Sequence, residues 1–189
     1  MPKQIDVDRL FEATVTTFAE KGYRATTTLE IAKRAGLNEV TLFRRHGGKA
    51  ALVNAALTHT LAKSPFAGIE VTDDVTADLT ALVRAYNETT RQYGAAVMTL
   101  LTEVPRHPEL REAMAALMPN LRNAAQIIAA HQQLGSLVPG EPLQQLLILI
   151  APLMMLGLWA RTGQAPVVAE FDPNVLVAGF LDGHRIPPS

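Results

Sequence analysis

The chain contains no cysteine, which excludes disulfide staples and thiolate metal sites and fits a reducing cytoplasm. Its five histidines, His46, His59, His107, His131 and His184, lack metal-ligand spacing. There is no H-E-x-x-H pair, phosphate-binding loop or dinucleotide fingerprint. No metal, no cofactor and no enzymatic reaction are therefore expected. The opening residues, "MPKQIDVDRLFEAT", carry acids where a secretion signal would have its apolar core, so a cytoplasmic location is expected. The one long apolar run, Leu146 to Ala160, is interrupted by Pro152. A bilayer span takes about 20 residues, and this shorter run reads as a helix buried in protein, with no membrane partner. No stretch alternates as a strand, and neither internal repeats nor low-complexity segments occur.

What the chain does have is apolar content: 48% of its 189 residues are hydrophobic, enough to close a core. Its net charge of −1 hides a split. Through Lys63, ten Lys and Arg stand against six Asp and Glu, a net of +4, and the remainder has seven against twelve, a net of −5. Such asymmetry suggests that the N-terminal end meets a polyanion while the rest does something else.

The periodicity predicts an all-α protein of about nine helices, near 6–22, 27–35, 39–45, 48–63, 73–93, 95–104, 108–134, 142–162 and 173–184. Pro108, Pro142 and Pro173 stand at first helical positions, where a missing N–H costs nothing. Gly22, Gly36, Gly94, Gly135 and Gly163 are expected to close helices. Pro119 should kink the seventh helix or divide it in two. The stretch "SPFAGIEVTD" reads as a joint between a basic unit and a larger apolar one.

The most specific signal lies in "TTTLEIAKRAGLNEVTLFRRHGGKAAL". Thr27 followed by Glu30 reads as a capping box, with the hydroxyl on a first-turn N–H and the carboxylate reaching back to the cap. Ile31, Ala32 and Ala35 share one face, and small Ala32 lets a second helix approach. Gly36 ends the helix, Leu37 plugs the core and Asn38 caps the next helix. That helix is expected to turn Val40 and Phe43 or Leu42 inward and to present Glu39, Thr41, Arg44 and Arg45. Two short helices joined by three residues form a helix-turn-helix, whose second helix can enter a major groove.

Over roughly its first 60 residues the chain resembles the DNA-binding domain of TetR-family transcriptional regulators. The matching elements are Phe18-Ala19-Glu20-Lys21-Gly22-Tyr23, Thr26-Thr27, Ile31-Ala32, Ala35-Gly36-Leu37, Thr41-Leu42-Phe43 and Lys49-Ala50-Ala51-Leu52. The resemblance implies that Thr27, Lys49 and the helix ends hold phosphates. Asn38, Glu39, Thr41, Arg44 and Arg45 would reach base edges or flanking phosphates. Lys33 and Arg34, on the outer face of the first helix of the motif, read as solvent or backbone screening. Phe43 occupies the DNA-binding position where the family commonly has a tyrosine, and lacks its hydroxyl. His46 stands where an aromatic core residue is usual and reads as a packing residue. Gly47-Gly48 replaces a more typical Pro-Ser and removes a capping hydroxyl. Weak binding by each half suggests a two-fold dimer on an inverted repeat of double-stranded operator DNA.

The resemblance divides the chain into a DNA-binding domain, residues 1–50, with three helices, and a ligand-binding and dimerisation bundle, residues 51–189. It implies a homodimer through the last two long helices, 142–162 and 173–184, with Trp159 and Phe180 as bulky members. It also implies a pocket for a small-molecule effector. Tyr86, Tyr93, Met98, Leu101, Met114, Met118, Met154, Met155 and Trp159 supply soft and aromatic lining, favouring an apolar or aromatic ligand. Repression, relieved by that ligand, is the expected mode. The rival readings are a helical small-molecule binding protein and a sequence-indifferent architectural DNA binder.

Overall fold

The computed structural model describes residues 6–67, 70–163 and 171–186, and all statements of structure below concern these residues. They form nine α-helices: α1 (Val7–Ala25), α2 (Thr28–Ala35), α3 (Glu39–His46), α4 (Lys49–Ala62), α5 (Val75–Glu103), α6 (Arg111–Ala115), α7 (Leu117–Gln133), α8 (Pro142–Ala160) and α9 (Pro173–His184). Two 3₁₀ turns, Pro65–Ala67 and Pro108–Leu110, complete the list, and an isolated bridge pairs Leu137 with Arg185. The all-α expectation is met.

Side-chain caps set several helix starts. Asp6 accepts a hydrogen bond from the Arg9 N–H, Glu141 from Gln144 and Asp172 from Asn174, each satisfying a donor with no partner inside its helix. The capping box at Thr27 forms only by half. Its hydroxyl accepts from the Glu30 N–H at 3.2 Å, but the Glu30 carboxylate pairs with Lys21 instead of reaching back. An opposite charge on α1 outbids a neutral N–H.

Two punctuation marks behave differently from expectation. Gly94 does not close a helix, and α5 runs unbroken through it; Ala96 and Leu100 beyond it are buried in a core, and their packing outweighs the roughly 1 kcal/mol that a mid-helix glycine costs. The expected seventh helix is indeed divided, but the break falls at Ala116, between α6 and α7. Pro119 then sits in the first turn of α7, where its missing N–H has no intrahelical partner to lose.

Contacts gather the chain into two compact units, one of residues 1–63 and 93–118, the other of 64–92 and 119–189. In the first, Leu10, Phe18, Ile31, Leu42, Leu52 and Leu100 are buried in one core. In the second, Leu79, Leu82, Ile128, Leu146, Leu149 and Val177 form another. The turn from Lys63 to Ser64, the start of the joint expected from sequence, is one crossing between them. Residues 68 and 69 of that joint lie outside the described residues, but Phe66 within it is buried and its N–H bonds the Thr89 hydroxyl.

A histidine–carboxylate pair lies inside the second unit. Asp78 on α5 accepts from the Thr72 N–H (2.7 Å), the Thr72 hydroxyl (2.8 Å) and His131 Nε2 on α7 (2.8 Å). Both residues are buried. Burial pushes the Asp78 carboxyl up, but the Thr72 bonds and His131 more than offset this and hold it below the usual aspartate range. Sequence reasoning treated His131 only as a failed metal ligand. Nothing in its spacing foretold a partner 53 positions away.

Candidate nucleic-acid interface

The interface begins with the turn between α2 and α3. Gly36 adopts φ 69° and ψ 35°, and the Leu37 N–H bonds the Ala32 carbonyl at 2.8 Å while the Gly36 N–H bonds Lys33. This pattern satisfies the last carbonyls of α2 and needs a left-handed residue that glycine supplies without strain. Asn38 then caps α3 by accepting from the Val40 N–H at 2.9 Å. A second tie links the helices directly: the Thr28 hydroxyl donates to Glu39 Oε1 at 2.6 Å. Gly47, again left-handed, closes α3, and α4 starts at Gly48 without a side-chain cap, as the Gly-Gly pair implied.

Rotation of α3 is set by Leu42, which is 1% exposed and is the helix's only buried residue among those described. At about 100° per residue, Glu39 and His46 share its side, and both are half-buried. The His46 ring packs edge-on to Phe11 at 5.9 Å, as expected of a packing residue. Burial, helped by nearby Arg45, pushes its pKa below the ordinary histidine value.

The same rotation overturns one expectation. Val40, expected inward, is 74% exposed, and Phe43 is 59% exposed; of the three apolar choices only Leu42 faces the core. Val40 lies two residues, some 200°, from Leu42. The legible signal was the i, i+3, i+7 stripe of Glu39, Leu42 and His46, passed over because only one of the three is apolar.

The outward face of α3 therefore carries Val40, Phe43, Arg44 and Arg45, all exposed, with Thr41 half-buried beside them. Glu39, Val40, Phe43 and Arg44 line a shallow open depression there. Among the described residues, ion pairs occupy Lys21 (with Glu30), Arg34 (with Glu20) and Lys63 (with Asp8), and none occupies Arg44 or Arg45. Arg34 is thus committed to α1, which agrees with its reading as a screening charge. Thr27 is exposed at the α2 cap. Lys49 is turned inward: its Nζ donates to the Tyr23 carbonyl at 2.8 Å and sits 4.2 Å over the Tyr23 ring.

The residues named for effector binding divide between the units. Tyr93, Met98, Leu101, Met114 and Met118 belong to the first, where Met114 packs against the core. Tyr86, Met154, Met155 and Trp159 belong to the second. Tyr86 packs edge-on to Phe66 at 5.1 Å, and burial raises its phenol pKa. Met155 is 62% exposed and lies with Leu147, Ile148, Leu158 and Trp159 on the outer side of α8, whose inner side is Gln145, Leu146, Leu149, Ile150 and Leu153. By length and composition α8 could cross a membrane. Among the described residues it is buried along one face, the side expected to meet its own bundle. On α9, Val175 and Gly179 face outward, whereas Phe180, expected at an interface, is 6% exposed and stacks on His184 at 4.1 Å. Its ring completes the core of its own unit.

Comparison with known proteins gives a consistent result. Residues 10–56 match the model for bacterial regulatory proteins of the tetR family, and residues 69–171 the tetracyclin repressor-like C-terminal domain. Over 50 residues the chain is 46% identical to the uncharacterized HTH-type transcriptional regulator YvkB of Bacillus subtilis (strain 168), a match spanning 26% of this chain and 26% of that protein. Similar solved structures include a TetR family transcription regulator from Marinobacter aquaeolei VT8 (21% identity, TM-score 0.72, 98% of this chain and 99% of that one). Another is the fatty acid degradation regulator FadR from Bacillus halodurans (16% identity, TM-score 0.72, 96% and 95%). At these identities the structures speak for the fold.

Proposed function

The chain belongs to the tetR family of bacterial regulatory proteins, and from that premise we propose that it is a cytoplasmic repressor that binds an inverted-repeat operator as a homodimer and is released by a small apolar or aromatic effector. Residues 1–50 read the DNA, and residues 51–189 bind the effector and the second subunit. The observation that carries this reading is the exposure of Arg44 and Arg45 on a helix closed at both ends and held in register by Thr28–Glu39. Arginine reads guanine O6 and N7 bidentately. Holding α3 rigidly makes such a contact specific.

Dimerisation uses the outer faces of α8 and α9. An apolar stripe of Ile148, Met155 and Trp159 exposed on one helix favours a covered state, and a second copy is the occupant that an inverted repeat requires. Effector control is supported more indirectly, by the phenol of Tyr86 and the thioether of Met154 in the second unit, each half-buried. Asn54 on α4 bonds the Glu109 carbonyl (2.9 Å) and the Ala113 N–H (3.0 Å), so α4 joins the segment 108–113 to the helix-turn-helix. An effector acts through such a link only to the extent that it binds the non-binding arrangement more tightly.

Selection of duplexes from a random pool by the purified protein at physiological salt, beside an Arg44→Ala/Arg45→Ala variant, tests the core of this reading. The wild type is expected to enrich one inverted repeat and the variant to lose it. Equal binding to all duplexes would replace it by an architectural role.

A further inference from the structure

On the DNA-reading face, two of the least soluble side chains are exposed. Val40 and Phe43 stand outward on α3, while Leu42 is its buried residue among those described. An aliphatic group and an aromatic ring on a surface meant for a polyanion cannot be explained by phosphate contact, since neither donates a hydrogen bond. Nor do they serve the fold of this unit, being 74% and 59% exposed. In a major groove, the apolar partner available to them is the thymine C5-methyl group. Glu39, the neighbouring residue suited to cytosine N4, already accepts a bond from Thr28.

We infer that Val40 and Phe43 are specificity-determining residues that each seat a thymine methyl, so that every half-site carries two methyl-bearing positions close together. The inference rests on the operator-binding reading above. Spacing supplies its geometry. Side chains three residues apart on a helix lie about 5–6 Å from one another, and successive bases are about 3.4 Å apart along a strand. The two methyls therefore belong to base pairs one or two steps apart. Arg44 and Arg45 flank this pair of apolar contacts and anchor it to phosphate or guanine.

The test uses the full-length protein and the inverted repeat enriched from the random pool. Each thymine of one half-site is replaced in turn by deoxyuridine, which removes the methyl and leaves every hydrogen-bonding group in place. Affinity is measured for the wild type, Val40→Ala and Phe43→Ala. Two nearby positions are expected to weaken wild-type binding by about fourfold each, the value of burying one methyl group. One of these effects should vanish in Val40→Ala and the other in Phe43→Ala. Because both residues are exposed, the variants keep the fold, which an unchanged urea midpoint verifies. Indifference of the wild type to every uracil substitution overturns the inference and leaves the repressor reading standing. Methyl effects that persist undiminished in both variants overturn it as well. Failure to enrich any duplex removes both readings together.

Discussion

At the residue scale, Lys49 shows how one position can match a motif and still serve a different bond. Its place at the start of α4 matches the family's phosphate-binding lysine, yet the ammonium donates to the Tyr23 carbonyl and sits over the Tyr23 ring. A charge-assisted bond and a cation–π contact at a half-buried site together contribute about 1–3 kcal/mol. Lys49→Met is therefore expected to lower the urea midpoint by a corresponding amount while leaving affinity for the enriched duplex within about twofold once the protein is folded. An unchanged midpoint with a large affinity loss would return Lys49 to the phosphate. The wider lesson concerns what a sequence encodes locally. Caps such as Asn38 and turns such as Gly36 act on neighbours within a few positions and were legible. The inward rotation of α3 depends on which of its residues meet Phe11 and the other helices of the core, and Val40 was misplaced for that reason.

At the element scale, helix starts were read to within a residue where Asp6, Thr27, Asn38, Pro142 and Pro173 mark the boundary, whereas Pro108 opens a 3₁₀ turn and α6 begins only at Arg111. The failures came where tertiary packing overrode a local preference, as in α5 at Gly94. The Asp78–His131 pair belongs to the same class, since it joins α5 to α7 across 53 residues of sequence. Removing this carboxylate leaves the buried His131 ring without its partner, while the donors of exposed Thr72 can turn to water. Asp78→Ala should cost about 1–3 kcal/mol, the usual penalty for leaving a buried polar group without its partner. The sign of its pH dependence follows from the lowered pKa: the folded state releases the proton more readily than the unfolded chain does. Its contribution is thus complete above the ordinary aspartate value of 3.8 and is lost as pH falls below it through the lower folded value. Urea unfolding at pH 7 and again at pH 3 should show the gap between wild type and Asp78→Ala narrowing in acid; a gap of constant size would show that Asp78 acts by packing and not by charge.

At the scale of the whole molecule, the question is what covers α8. Its inner residues complete the core of their own unit, and its outer ones, Leu147, Ile148, Met155, Leu158 and Trp159, recur at helical spacing along the opposite side. Sequence hydropathy registered both stripes as one continuous apolar run and so could not say which half belonged to the monomer. Val175 and exposed Gly179 on α9 extend the choice of contact surface, the glycine permitting close approach of another backbone. If a second copy covers this surface, charge placed there should separate the copies without unfolding either. Ile148→Glu/Met155→Glu is expected to sediment as a monomer with an unchanged helical circular dichroism spectrum. Because two half-sites held by one dimer bind with an effective concentration that independent subunits lack, affinity for the inverted repeat should fall by roughly 10²–10⁴-fold, while the weak affinity for an isolated half-site is retained. A variant that remains dimeric would move the subunit contact away from α8, and a monomer that still binds the full repeat as tightly as the wild type would show that the two half-sites are read independently.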